Sequence, residues 1–154
     1  MQETEHDCNL PDRPRLSFTD LTPVVEYSAI FRKSLRRAID VHSTGIFEND
    51  LARDVRREFE QFMRAGLSAY AAADRVIALH AAHIHDPDDE PAIFFALAEL
   101  QLQCGALSPP LRKRALTLIN SGDSLARWSG QSAETIAARN AIEQDLRRRL
   151  SLVQ

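Results

Sequence analysis

The sequence predicts an all-α protein, a compact bundle of about six helices around a buried central helix near residues 91–104. Three observations lead to this fold class. Residues 93–102 are apolar on nearly every side, which is typical of a helix enclosed by others. The chain has only 5 glycines, and each suits a helix end or a turn. No strand pattern competes, because the short apolar run 93–97 continues for further helical turns without a breaker.

The length of 154 residues fits one domain. Residues 1–21 are acidic and lack periodicity, so we expect a disordered or loosely ordered tail, followed by a single helical domain over 22–154. Within that domain, we expect residues 22–41 to form an added N-terminal helix. Residues 42–151 are expected to form the main part of the domain, called the core below. The added helix begins at Thr22-Pro23 and has an apolar stripe at helical spacing. Its basic residues fall on the other faces: Arg32, Lys33, Arg36 and Arg37.

The next two helices are predicted from their caps and apolar stripes. Asn49 or Asp50 is the expected N-cap of a helix that Gly66 ends as a left-handed residue. Ser68 is the expected N-cap of the following helix, whose stripe runs to Ile84. Asp86-Pro87 should stop that helix, because the residue before a proline disfavours helical backbone.

The central helix opens in the acidic stretch 88–91 and ends at Gly105. A helix over Ser108–Gly122, a short turn at 125–128 and a last helix at 132–151 complete the expected order. Residues 66–68 and 105–108 share a pattern of glycine, apolar residue and serine. Stacked helix pairs of solenoid type would produce such an echo. The simpler interpretation is that two short connections between helices use the same residue types to form their turns.

Three histidines close together suggest a metal site: His80, His83 and His85. Imidazole and carboxylate groups are common zinc ligands, and acids follow directly at 86–90. However, no His-Glu-x-x-His motif is present, and acids at a helix N-terminus have a structural reason to be there. A solvated helix end is therefore the preferred interpretation, and no metal or other cofactor is assigned.

Glu99 lies in the middle of the apolar central helix, where an unpaired charge would be costly. We prefer the interpretation that the helix has one narrow edge facing solvent. Glu99 would share this edge with Gln103 and, two turns earlier, with Ala92. The alternative is a buried carboxylate paired with an arginine.

Nucleic-acid binding has little support in the charge pattern. The net charge is −3, so the chain has no overall basic field. Basic clusters occur at 32–37 and 147–149, but nearby acids dilute them, and no helix-turn-helix pair is evident. We interpret these clusters as solvated faces or contacts with a protein partner.

The two cysteines, Cys8 and Cys104, do not form a disulfide framework. We expect a free surface thiol and a small buried apolar group, respectively. The sequence shows neither a signal peptide at its start nor an apolar run of membrane-spanning length. The expected compartment is the cytoplasm.

Partner binding is the function for which the sequence offers candidate residues. The acidic stretch Asp86, Asp88, Asp89 and Glu90 suits a basic partner such as a toxin. Trp128 is the only tryptophan and is expected either to pack on the core or to anchor an interface.

The core resembles an uncharacterised bacterial family, a domain-of-unknown-function family whose members open with Trp-Gly-x-Gly-x-Phe-x-Asn-Asp. The matching stretch here runs from His42 to Asp50, and the likeness continues through much of the core. His42 and Ser43 replace the leading Trp and Gly, and the segment before residue 42 is an addition. We hypothesise that this segment supplies the apolar cover that the missing Trp would provide. The resemblance implies no activity and no cofactor.

Three functions remain at this stage. The first is a non-enzymatic helical protein-binding module, of the immunity or antitoxin kind, that neutralises a partner. The second is an enzyme with a site around His80–Glu90 and Glu99, although no nucleophile elbow or phosphate-binding loop is present. The third is a DNA-binding regulator that uses one arginine-rich helix.

Overall fold

The computed structural model describes residues 45–153, and every regular element in that range is an α-helix. The helices are α1 (Asp50–Arg64), α2 (Ala69–Leu79), α3 (Glu90–Gln103), α4 (Pro109–Ser121), the short α5 (Asp123–Ala126) and α6 (Ala133–Leu152). The predicted all-α fold class is confirmed. The tail at 1–21, the helix expected at 22–41 and Cys8 lie outside the described residues.

The central position of α3 is also confirmed. Eleven of its fourteen residues are buried, and it packs against α1, α2, α4 and α6. Phe95 and Leu97 have no exposed surface, and Phe94 is half-buried, so the apolar run is enclosed on most of its sides. Among the described helices, neither α3 nor any other is long and apolar enough to cross a membrane.

Side-chain caps and glycines define the helix ends where the sequence predicts them. The Asn49 side chain accepts the Ala52 N–H at 2.6 Å, and the Ser68 hydroxyl accepts the Ala71 N–H at 3.2 Å. Three glycines have the left-handed backbone that ends a helix at little steric cost: Gly66 (φ 94°), Gly105 (φ 65°) and Gly122 (φ 73°).

The connections α1–α2 and α3–α4 share one turn geometry, which accounts for the sequence echo. The Leu67 N–H donates to the Phe62 carbonyl at 3.1 Å, and the Ala106 N–H donates to the Gln101 carbonyl at 3.0 Å. Each bond is the long-range hydrogen bond of a Schellman motif at a glycine C-terminus. The echo therefore has a local cause in both connections.

Gln101 joins the two connections through its buried side chain. Its amide nitrogen donates to the Ala69 carbonyl at 3.0 Å, and its amide oxygen accepts the Ser108 N–H at 2.8 Å. The start of α2 and the start of α4 are thereby held to α3. A fully buried amide with both ends satisfied fixes this geometry without an unpaired polar group.

One helix boundary in the prediction is wrong. The helix expected to run to Ile84 ends at Leu79, and residues 80–85 form successive turns. Val76 is the last fully buried residue of α2, whereas Leu79 is largely exposed. The end of α2 is therefore little buried, and helices gain most of their stabilisation from such burial. Ile84 packs against the core from the turns that follow the helix.

Gly45 is required by a close approach of the chain to α6. A Cβ atom at this position would lie 1.9 Å from Cδ1 of Ile142. The sequence predicts a helix end or a turn at each glycine, and at Gly45 the structure adds this close contact as a second reason for a glycine.

We expect Gly45→Ala to lower the free energy of unfolding by about 1–3 kcal/mol, the usual cost of overpacking. Ile142→Val removes the clashing Cδ1, so the double variant should recover part of that loss. Gly130→Ala is the matched control, because no atom lies within 4 Å of its Cβ position. Urea unfolding followed by circular dichroism measures all four proteins, and equal stability of the two alanine variants would contradict the steric explanation.

Candidate functional site

A buried polar network ties the start of the described chain to α5 and α6. Arg139 donates to Glu143 at 3.3 Å and to the Gly45 carbonyl at 3.0 Å. The hydroxyl of Ser124 donates to the other oxygen of Glu143 at 2.8 Å. The three side chains are buried, and the carboxylate is balanced by a cation and a hydroxyl. The network therefore fixes the loop before α1 against the last helix.

Trp128 lies beside this network, in the turn that follows α5. The guanidinium carbon of Arg139 is 5.9 Å from the centre of the indole ring, within the range of a cation–π contact. The ring is half-buried. Its Nε1 atom is buried and has no acceptor within the described residues, an uncommon condition for a tryptophan N–H. Trp128 therefore packs on the domain and retains an exposed portion, and its role as an interface anchor stays a prediction.

The exposed portion of Trp128 lines an open depression of about 480 Å³, which we call the Trp128 groove. Its walls come from the start of α1, the start of α3 and the turn after α5. The lining residues are Asn49, Leu51, Asp88, Asp89, Ala92, Arg127, Trp128 and Gln131. The sequence singled out Asp88 and Asp89 as part of an acidic stretch and Trp128 for a separate reason. In the structure all three line one surface.

The groove has acidic side chains that are only weakly neutralised. The Asp88 side chain is 76% exposed, and its nearest cation in the described part of the chain is Arg127 at 3.7 Å. Asp89 contacts the ring of His83 at 2.8 Å. Asp86, exposed at the edge, accepts the Asp88 N–H at 2.9 Å, which fixes the turn but leaves its charge facing solvent. An exposed carboxylate next to an aromatic ring suits a cationic side chain from a partner.

Glu90, the fourth acid of the stretch, is engaged within the domain. Its side chain is mostly buried and accepts the Arg114 Nε–H at 2.7 Å, with a second bond from the same guanidinium. This pair joins the start of α3 to α4. Glu90 is therefore a structural residue in this arrangement and lies outside the lining of the groove.

The three candidate metal ligands do not converge. His80 contacts Glu58 of α1 at 2.7 Å, and His83 contacts Asp89. The rings of His80 and His83 meet edge to face with centres 6.1 Å apart, while His85 is exposed. Within residues 45–153, no three His, Cys, Asp or Glu side chains are placed to hold a metal ion.

The preferred interpretation of Glu99 as a solvent-facing residue is wrong. Its side chain is 3% exposed, and its two oxygens accept bonds from the Arg149 guanidinium at 2.9 and 2.5 Å. Gln103 donates to the same carboxylate at 3.0 Å, and Ala92 is buried. The alternative, a buried carboxylate paired with an arginine, is correct. Glu99 is thereby committed to α6, and none of its polar contacts is with His80–Glu90.

Asp145 extends this ion pair towards the surface. Arg149 donates to it at 2.9 Å, and Arg148 also contacts it. Burial favours a higher pKa for Asp145, but the hydrogen bonds and charges of both arginines outweigh it and lower the pKa. Its stabilising contribution is therefore present above the ordinary carboxyl pKa and is lost as the pH falls through the lowered value. Arg149 belongs to the basic cluster predicted at 147–149, but its half-buried side chain is bound to acids of the domain.

Cys104 caps the end of α3 and is half-buried, close to the sequence expectation. Burial raises the pKa of its thiol to about 12. The thiolate is the reactive form of cysteine, so this group is inert at neutral pH. Cys104 has no role in the groove.

Sequence reasoning missed two of the residues that position the groove, Arg139 and Glu143. Both lie on the apolar stripe of α6, between Ile136 and Leu146, at helical spacing. Charged residues four apart on a buried stripe were the signal that would have found them. Arg127 and Gln131, which line the groove, had no such signal.

A second depression of about 410 Å³ lies between α2 and α4. Its lining is mostly apolar and includes Tyr70, Ile77 and Phe94, with Asp74 at its side. None of the predicted partner-binding residues lines it. The Trp128 groove is therefore the stronger candidate site.

Comparison with models of protein families, with curated proteins and with solved structures finds no match to this chain. The resemblance of residues 42–151 to an uncharacterised bacterial family stays a prediction. The candidate site consequently rests on the geometry described above.

Proposed function

We propose that this protein is a non-enzymatic protein-binding module, of the immunity or antitoxin kind, that holds a basic partner in the Trp128 groove. The observation that supports this proposal is the convergence of Asp88, Asp89 and Trp128 on one open surface. Tryptophan is enriched among residues that dominate binding energy, and exposed acids speed the approach of a cationic partner.

The rigidity of the groove supports the same proposal. Arg139 is held by Glu143 and by the Gly45 carbonyl, and it in turn lies over Trp128. A fixed aromatic side chain loses little conformational freedom when a partner binds. The groove is therefore suited to recognition without rearrangement of the domain.

The contact between Glu99 and Arg149 weighs against the other functions considered. Glu99 is neutralised by Arg149, which separates it from the histidine region that an enzyme site would need. A DNA-binding helix would need the basic cluster 147–149 to face the DNA backbone. Because Arg149 is bound to Glu99, it is not available for such a contact. We accordingly propose a protein as the partner, action in the cytoplasm, and membership of the resembled family for residues 42–151.

Affinity capture with matched variants tests the proposal. The tagged full-length chain, Asp88→Lys and Asp74→Lys are each used to capture proteins from the native host, followed by mass spectrometry. Asp74 is exposed and lines the other depression, so its variant controls for the change of charge. We expect a stoichiometric basic protein with the wild type and with Asp74→Lys, and at least roughly tenfold less with Asp88→Lys, because like charges then face each other. Equal recovery with both variants, or no stoichiometric partner, would contradict the proposal.

A further inference from the structure

The chain enters the described domain next to the Trp128 groove. Asn49 lines the groove and follows Gly45 by four residues, so the two Cα atoms are at most about 14 Å apart. The Gly45 carbonyl is held by Arg139, whose guanidinium lies over the Trp128 ring. The residues that precede Gly45 are therefore tethered within reach of the groove.

The preceding sequence is complementary to the groove in charge. Four cations fall within six residues, at 32–37, whereas the groove presents Asp88 and Asp89 with Asp86 at its edge. Asp88 is 76% exposed, and among residues 45–153 its counter-charge is Arg127 at 3.7 Å. About eight residues separate position 37 from Gly45, and an extended stretch of that length spans up to about 28 Å. The linker is thus long enough to bring the basic residues to these acids.

The two surfaces also match in apolar character. Residues 24–39 have apolar side chains at helical spacing opposite the basic ones. The groove has Leu51, Ala92 and the exposed portion of Trp128 between its acids. An amphipathic segment lying in an apolar groove with charges at its rim is a common mode of peptide recognition.

We propose that residues 22–41 are the resident occupant of the Trp128 groove, with their basic side chains paired to Asp86, Asp88 and Asp89 and their apolar stripe against Leu51 and Trp128. A segment joined by a short linker has an effective concentration of the order of millimolar. An external basic partner must therefore displace this segment, and the segment sets a threshold for binding. The inference depends on the groove and stands whether or not the external partner is a toxin.

Trp128 fluorescence tests the proposal in the full-length chain, because it is the only tryptophan. The test variant is Arg36→Glu/Arg37→Glu, and the matched control is Lys113→Glu/Arg147→Glu, which changes two exposed cations elsewhere. At low salt we expect the acrylamide quenching constant of Trp128 to rise about twofold in the test variant and to stay unchanged in the control. In 1 M salt the wild type should lose its protection, since the Debye length falls to about 3 Å.

Reversal of the groove charges should restore the contact. Asp88→Lys/Asp89→Lys, added to the test variant, is expected to return the quenching constant to the wild-type value. Identical quenching of the wild type and the test variant at low salt would overturn the proposal.

Cross-linking gives an independent readout that does not depend on charge reversal. In a Cys8→Ser background, Arg36→Cys/Asp88→Cys should form an intrachain disulfide at least roughly tenfold faster than Arg36→Cys/Asp74→Cys, because proximity raises the effective concentration. The protonated Cys104 thiol does not compete at neutral pH. Equal rates would overturn the assignment of the occupant. If the rates are equal while Asp88→Lys still loses the captured partner, the occupant is wrong and the proposed function stands.

Discussion

Arg149→Met is expected to lower the free energy of unfolding by about 3–5 kcal/mol, because it leaves the buried carboxylate of Glu99 without its cation. Glu99 is 3% exposed and accepts two bonds from Arg149. Guanidinium unfolding followed by circular dichroism measures the loss.

Two further variants separate the ion pair from simple truncation of a side chain. Arg148→Met removes a neighbouring cation that is 74% exposed, and we expect a change below about 1 kcal/mol. Glu99→Met/Arg149→Met removes both charges, and its stability should return to within about 1–2 kcal/mol of the wild type, since apolar replacements of buried pairs are often neutral. If Arg149→Met unfolds at the same denaturant concentration as Arg148→Met, the pair has no such role.

Arg139→Met is the second change with a large expected effect, again about 3–5 kcal/mol. It leaves Glu143 buried with only Ser124 as a donor, and it removes the hydrogen bond to the Gly45 carbonyl. The cation over the Trp128 ring is lost in the same step. We therefore expect a change in Trp128 emission in the folded variant together with the lower stability.

Arg147→Met is the matched control for this variant, because Arg147 lies on the same helix with an exposed side chain. Its expected effect is within about 0.5 kcal/mol, the usual range for a surface substitution. Unaltered stability and emission in Arg139→Met would show that the network does not position the groove.

The parts of the fold that the sequence predicted are those with a local cause. Asn49 and Ser68 cap helices through bonds to residues three positions later, and Gly66 and Gly105 end helices through their own backbone conformation. The enclosed helix α3 is evident from its own run of apolar residues. Each of these features depends on a short stretch of neighbouring residues, so the sequence pattern contains the necessary information.

The parts that were missed depend on residues distant in the chain. Glu99 is buried because Arg149, on the last helix, neutralises it. Arg139 belongs to the interior because the carbonyl of Gly45 lies beside it. The end of α2 at Leu79 is followed by a turn in which His80 contacts Glu58 of α1. Such partners are set by the packing of the helices and cannot be identified from local periodicity.

The sequence could predict individual residues of the candidate site, but it could not predict that they lie on one surface. Asp88, Asp89 and Trp128 were each singled out by type, charge or rarity, and the structure adds that they share a groove. Glu90 was grouped with the acids by its position, although its ion pair with Arg114 assigns it to the fold. Of the four acids that the sequence singled out, two line the groove and a third is at its edge, and the sequence could not tell which of them face solvent.

Titration calorimetry with the captured partner tests most directly whether the Trp128 groove binds a basic protein. The dissociation constant is measured at physiological salt for the wild-type chain, Asp88→Lys and Asp74→Lys. We predict that Asp88→Lys weakens binding at least roughly 30-fold, a loss of about 2 kcal/mol, while Asp74→Lys binds as the wild type does. Equal dissociation constants for all three proteins would contradict the claim.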